Sequence, residues 1–276
     1  MATFRINYAS QCLKRYHNLN VILPVEDSMM MDVFASSRDL KKKKFKTLYL
    51  LHGFSGNQND WMTGTRIQEL ADYYGIAVVM PAGDNSFYVD GPSAGTNYGE
   101  MIGKEIVEFT RNVFPLSRKR EETFIGGLSM GGFGALRNGT YYYNTFSKIV
   151  CLSTAFVVDE VADMKENEEG AVGDYYLYRH IFGDLTKLRD SDKDPFWCVR
   201  RALKAKKMPE LYIAIGSEDM LIEANHKAKE VLTQMGVDFH YHENPGIHNW
   251  NFWSTEIEPA IKWLLNMEEE KKNYLC

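Results

Sequence analysis

Residues 123–137, TFIGGLSMGGFGALR, decide the fold. The stretch opens as a short apolar run, turns through Gly127-Leu128-Ser129-Met130-Gly131, and continues into small residues suited to a helix start. A G-x-S-x-G pattern carries meaning only between a strand and a helix, and that is its context here. A serine forced onto a sharp strand-to-helix turn takes a strained backbone conformation, and only residues without a Cβ pack closely around it. Such a turn lifts Ser129 Oγ above the sheet at a helix N-terminus, where N–H groups and the helix dipole favour developing negative charge. The plain alternative is a glycine-rich turn that seats a helix on a strand. The rest of the chain decides between the two.

Working outward, residues 3–9 (TFRINYA) and 18–23 (NLNVIL) alternate apolar and polar side chains, which predicts an antiparallel pair with one exposed face. Residues 45–52 (FKTLYLLH) are nearly all apolar, as in a strand covered on both faces, and end in the turn His52-Gly53-Phe54-Ser55-Gly56. A helix is expected over 65–74 and a buried strand over 76–80, stopped by Pro81. Residues 82–99, rich in glycine and small polar residues, read as a long surface loop. Residues 98–114 read as an amphipathic helix with Met101, Ile102, Ile106, Phe109 and Val113 as its stripe. Strands follow at 148–152, 211–215 and 237–241, helices at 222–235 and 250–267, and a solvated tail, EEEKKNYLC.

Alternating strands and helices imply an α/β class with a mostly parallel sheet of about eight strands, helices on both faces, in one domain over 1–276. Residues 155–209 lie between two strands and carry an acidic stretch and the aromatic run DYYLYRHIF, so they are expected as a cap-like insertion. The 276 residues, 45% hydrophobic and 25% charged, allow one sizeable core. A net charge of −5 argues against nucleic acid as a partner, and Lys41-Lys42-Lys43-Lys44 reads as a solvated loop. No apolar run reaches membrane-spanning length, and MATFRINYASQC lacks the basic-then-apolar order of a signal peptide. Cys12, Cys151, Cys198 and Cys276 have no C-x-x-C spacing and suit free thiols. The expectation is a cytoplasmic protein with neither nucleic-acid nor membrane partner. Self-association into a homo-oligomer is left open.

A serine hydroxyl needs a base within hydrogen-bond reach, itself oriented by an acid. Of the seven histidines, His248 alone lies in a loop directly after the last expected strand, on the sheet edge that Ser129 occupies. The acid should also follow a strand, and Ile215-Gly216-Ser217-Glu218-Asp219 supplies it. Asp219 is preferred to Glu218 because the later position has room to curl back beneath the histidine. Two N–H donors for an oxyanion are expected at Met130 and at Phe54, where Gly53 frees the backbone to turn inward. His240 and His242 suggest a metal pair only if a third ligand joins them, and none is indicated, so no metal or cofactor is expected.

Five separated motifs, LLHGFSGNQNDW, GDNSFY, GLSMGGFGALR, GSEDML and HNWNFW, resemble the tributyrin esterase branch of the esterase D-like α/β-hydrolases. That branch stands close to S-formylglutathione hydrolases and to feruloyl and acetylxylan esterases. The resemblance runs from about Phe4 to Trp263. It implies the α/β-hydrolase fold, carboxylic ester hydrolysis with Ser129, Asp219 and His248 as catalytic triad, and oxyanion donors at Phe54 and Met130. The expected substrates are small-molecule or saccharide-linked esters with acetyl, butyryl or feruloyl groups. The alternative is the thioester of an S-formylglutathione hydrolase. Acyl transfer to a sugar is disfavoured by the lack of a secretion signal, and a non-catalytic binding protein by the intact motifs. Trp61, Phe87, Tyr88, Trp250 and Trp253 stand beside the motif loops as candidate pocket walls, with core filling as the alternative. Tyr176, Leu177, His180 and Ile181 share one helical face, expected as an apolar roof over Ser129.

Overall fold

The computed structural model describes residues 1–24 and 44–267. Lys41 to Lys43, Cys276 and the tail 268–276 lie outside the described residues. The hairpin of β1 (Ala2–Ser10) and β2 (Arg15–Leu23) is antiparallel, and β2 pairs antiparallel with β4 (Ala77–Pro81). From there the sheet is parallel through β3 (Thr47–Leu51), β5 (Thr123–Leu128), β6 (Lys148–Leu152), β7 (Glu210–Gly216) and β8 (Phe239–Asn244). The order across the sheet is β1-β2-β4-β3-β5-β6-β7-β8, eight strands, as the sequence predicts.

Continuous apolar strands are needed because both faces are covered. Leu48 and Leu50 of β3 pack with Phe124 and Val78 against α1 (Asp60–Gly64), α2 (Ile67–Tyr74) and α10 (Trp250–Leu264). Their neighbours Tyr49 and Leu51 point the other way, as the two-residue period of a strand requires. With Ile125 and Ile149 they meet α4 (Ile106–Val113), α5 (Met130–Tyr141), α8 (Pro195–Lys204) and α9 (Ile222–Gln234). No described helix is long and apolar enough to cross a membrane. Cys12, Cys151 and Cys198 are free thiols.

Four expectations need correction. Residues 98–114 do not form one uniform helix: α3 (Tyr98–Glu100) passes through a π-helical turn, Met101–Glu105, into α4, and Val113 is exposed. The wide turn presents Glu105 to the β1–β2 turn, where its carboxylate accepts from the Ser10 hydroxyl at 2.6 Å. Residues 82–99 are not a surface loop throughout, because Phe87 and Tyr88 are fully buried. Gly134 makes the room: a Cβ there would lie 2.5 Å from the Tyr88 ring. Residues 155–209 are a cap only in part. The segment from 155 through α6 (Val158–Ala162) lines the cavity at the sheet edge, whereas α8 packs along α5 as an ordinary crossover helix. Finally, α7 (Tyr175–Phe182) buries Tyr178, Ile181 and Phe182 and leaves Tyr176 and His180 exposed.

Candidate active site

Ser129 sits between β5 and α5 with φ 53° and ψ −118°, a conformation ordinary residues avoid. The surrounding backbone determines it. Ser129 N–H donates to Leu152 O at 2.9 Å, while its own carbonyl accepts from Phe133 and Ala155 N–H, both at 3.1 Å. The glycines on either side answer to backbone contact: a Cβ on Gly127 would lie 2.4 Å from Gly131 O, and one on Gly131 2.4 Å from Leu51 O. No rotamer change relieves a clash with backbone, so both positions require glycine.

The loop after β8 brings His248 to this turn. His248 Nε2 lies 3.1 Å from Ser129 Oγ, and Nδ1 lies 3.0 Å from each oxygen of Asp219. Asp219, on the turn after β7, is buried, while neighbouring Glu218 points to solvent. An Nδ1–H donated to the carboxylate leaves Nε2 as the acceptor facing the hydroxyl, the tautomer a general base needs. Burial pushes the Asp219 carboxyl up, but hydrogen bonds from His248, Leu221 N–H and Ser153 outweigh it and hold the group below the usual carboxylate range. The ionised form is therefore the one that meets the imidazole.

Ser153 escaped the sequence reading. It follows β6 with φ 45°, is fully buried, and accepts from Trp253 Nε1–H at 3.1 Å. Its position after a parallel strand, like those of Ser129 and Asp219, was the available signal. The Trp253 ring also stands edge-on to His248, centroids 5.0 Å apart, which limits how far the imidazole can tilt.

The turn after β3 is fixed by His52. His52 Nδ1 donates to Gly53 O at 2.7 Å, and Nε2 accepts from Gly83 N–H at 2.7 Å. Gly53 C=O and Phe54 N–H belong to one planar trans peptide, so a carbonyl drawn towards His52 aims the N–H the opposite way. Phe54 N–H and Met130 N–H find no acceptor among the described residues. Both residues flank Ser129: Met130 opens α5, and Phe54 lines the same cavity.

His52 and His17 are both buried, and burial lowers their pKa values from the usual histidine range. The unfolded chain then binds protons that the folded chain refuses, so both histidines contribute stability above about pH 6.5 that is lost as pH falls below it. Unfolding free energy is expected to drop between pH 7.5 and 5.5. A flat profile over that interval would rule the coupling out.

The cavity in front of Ser129 holds about 360 Å³ and is lined by Phe54, Phe156, Glu160, Met220, His248 and Trp250, among others. Met220, which sequence reasoning missed, is 76% exposed at its mouth. Of the expected wall and roof residues, Phe87, Trp61, Tyr88 and all four of α7 do not reach it. Phe87 is fully buried against Phe54, Phe133 and Phe182. Trp61 is buried behind Trp250, its indole N–H donating to Leu51 O at 2.9 Å. Tyr88 lies beneath the site with its hydroxyl on His52 O at 3.0 Å. Tyr176 is in solvent, and Ile181, with Leu177 and His180, faces a separate recess of about 260 Å³ beside Arg15 and Tyr98. The expected roof over Ser129 is thus absent from α7, and Phe156 with Glu160 stands in its place. His240 and His242 stack in parallel on β8, and no cluster of three or more metal-ligating side chains occurs among the described residues.

Comparison with known proteins places the chain in a family. Residues 26–264 match the family described as "Putative esterase". The chain is 42% identical to an acetyl esterase of Caldicellulosiruptor saccharolyticus over 98% of its own length and 100% of the relative's. It is similar to a substrate-bound fluorophosphonate-binding serine hydrolase of Staphylococcus aureus, with TM-score 0.82 and 30% identity over 96% of this chain and 98% of that one. An S-formylglutathione hydrolase of the same organism is similar with TM-score 0.80 and 30% identity, covering 96% and 99% of the two chains. The architecture is therefore the α/β-hydrolase fold.

Proposed function

Because the chain belongs to the esterase family, we propose that it is a serine carboxylesterase that hydrolyses short acyl esters through an acyl-enzyme on Ser129. The observation that carries this reading is His248 bridging Ser129 Oγ at 3.1 Å and the Asp219 carboxylate at 3.0 Å. In this mechanism Ser129 Oγ attacks the ester carbonyl carbon while His248 Nε2 takes the hydroxyl proton. The ionised Asp219 stabilises the resulting imidazolium. Phe54 and Met130 N–H receive the oxyanion, each such donor contributing about 3 kcal/mol of transition-state stabilisation. His248 passes the proton to the departing alcohol, and the acyl group remains on Ser129. Water, deprotonated by the same imidazole, then releases the acid and restores the hydroxyl.

A cavity of about 360 Å³ walled by Phe156 and Trp250 suits acetyl and butyryl groups. The acetyl esterase relative supports the same class. The test is release of nitrophenol from nitrophenyl acetate, butyrate and octanoate, with methyl ferulate alongside. The expected result is a burst equal to enzyme concentration and a turnover that falls beyond butyrate. No burst and no acyl adduct on Ser129 would sink the reading. A second reading, thioester hydrolysis of S-formylglutathione, draws support from the similar Staphylococcus aureus enzyme. Turnover of S-formylglutathione above that of nitrophenyl acetate would favour it.

A further inference from the structure

A second cavity of about 410 Å³ adjoins the catalytic one. Phe156, Glu160 and Ala224 line both, so two side chains and a methyl group stand between the cavities. Its floor is apolar, with Phe133, Phe196 and Val231, and the Phe196 ring lies parallel to Phe156 at 5.6 Å. Its rim is ionic, with four carboxylates against three cations. Each cation is already engaged: Arg189 by Asp159 and Asp163, Lys227 by Asp159, and Arg200 by Asp190 and Asp194. Glu160 has no cationic partner among the described residues and accepts only from Ala171 N–H, at 2.8 Å.

The side on which this cavity opens matters. Ala224 belongs to α9, the helix that leaves the Asp219 turn, whereas the Phe54 turn lines the catalytic cavity alone. The general base returns its proton to the leaving group, which therefore departs on the flank of His248 and Asp219, away from the oxyanion donors.

We propose that the second cavity is a subsite for the leaving alcohol and takes an uncharged alcohol with a ring-bearing body. The proposal rests on the reading of Ser129 as nucleophile. A flat ring buries against Phe156, Phe196 and Val231, and its polar edge reaches the paired ions of the rim. An anionic alcohol meets the unpaired Glu160 and must displace a carboxylate from every cation it approaches. The subsite therefore selects on charge as well as shape, which separates neutral esters from an anionic peptidic thioester.

The experiment holds the acyl group constant as acetate. Substrates are ethyl acetate, the acetate of 2-naphthol bearing a 6-carboxamide, and its 6-carboxylate analogue. The expected kcat/KM is at least tenfold higher for the carboxamide than for the carboxylate. Val231→Trp fills the floor, and its ratio of naphthyl to ethyl acetate turnover should fall at least tenfold from wild type. Glu160→Gln, at an exposed position, should narrow the gap between carboxamide and carboxylate to under threefold. An unchanged ratio in folded Val231→Trp, or an unchanged gap in Glu160→Gln, overturns the subsite while leaving the esterase reading intact. Failure of the wild type on all three acetates overturns the esterase reading, and the subsite with it.

Discussion

Ser129→Ala should lower kcat for nitrophenyl acetate by about 10⁴-fold or more while the fold survives. Ser129 Oγ is the hydroxyl that faces His248, and no other hydroxyl among the described residues contacts His248 Nε2. Ser153, the nearest rival on the same sheet edge, is fully buried and held by Trp253. What remains is the hydrolysis that the oxyanion donors and substrate binding give without a nucleophile. Stability should change by less than about 1 kcal/mol, because alanine keeps the Cβ and the backbone strain alike. The measurement is burst and steady-state kinetics beside thermal unfolding. Retention of more than a few per cent of turnover would remove Ser129 from the mechanism.

The second large effect belongs to Asp219→Asn. The carboxylate contacts His248 Nδ1 through both oxygens and is shielded from solvent, so the imidazole has one orientation and one tautomer. An amide of the same shape offers an N–H₂ where the ring must donate, and the imidazole answers by moving its proton to Nε2. That nitrogen can then no longer accept from Ser129. A loss of about 10⁴ in kcat is expected, as for the equivalent change in serine proteases, or about 5.5 kcal/mol of barrier. KM should change far less, since Asp219 does not line the cavity. A loss below about tenfold would mean that Asp219 orients nothing. Because its carboxyl is held below the usual range, Asp219 also contributes stability present above about pH 4 and lost as pH falls through the folded value.

Much of this was written in the sequence, for local reasons. The runs that became β3 and β5 are continuously apolar because both faces are covered, and the glycines at 127 and 131 announce a turn with no room for a side chain. Ser129, Asp219 and His248 could be named because each follows a parallel strand, and such positions converge on one edge. The walls of the cavity were less legible. Trp61 and Tyr88 stand next to motif loops in sequence, yet their polar atoms turn inward to backbone carbonyls. In α7 aromatic residues fall on both faces, so periodicity could not choose between Tyr176 and Tyr178. The segment that does form the wall, with Phe156 and the five-residue α6, is too short to show any period.

The three groups of the proposed triad do not stand on equal foundations. Ser129 and Asp219 follow β5 and β7, each hydrogen-bonded to a strand on both sides, while His248 follows β8, which is bonded on one side only and half open to solvent. Native proteins open piecemeal, and a border strand opens at lower free energy than the interior. Each such opening carries the imidazole away and leaves the hydroxyl and carboxylate in place. On the proposed mechanism the molecule should then be catalytically silent while its core is still folded, and warming should raise that silent fraction before any melting begins. The hold of β7 on β8 should, on that mechanism, limit the upper working temperature, and strengthening that border should extend it without touching the interior.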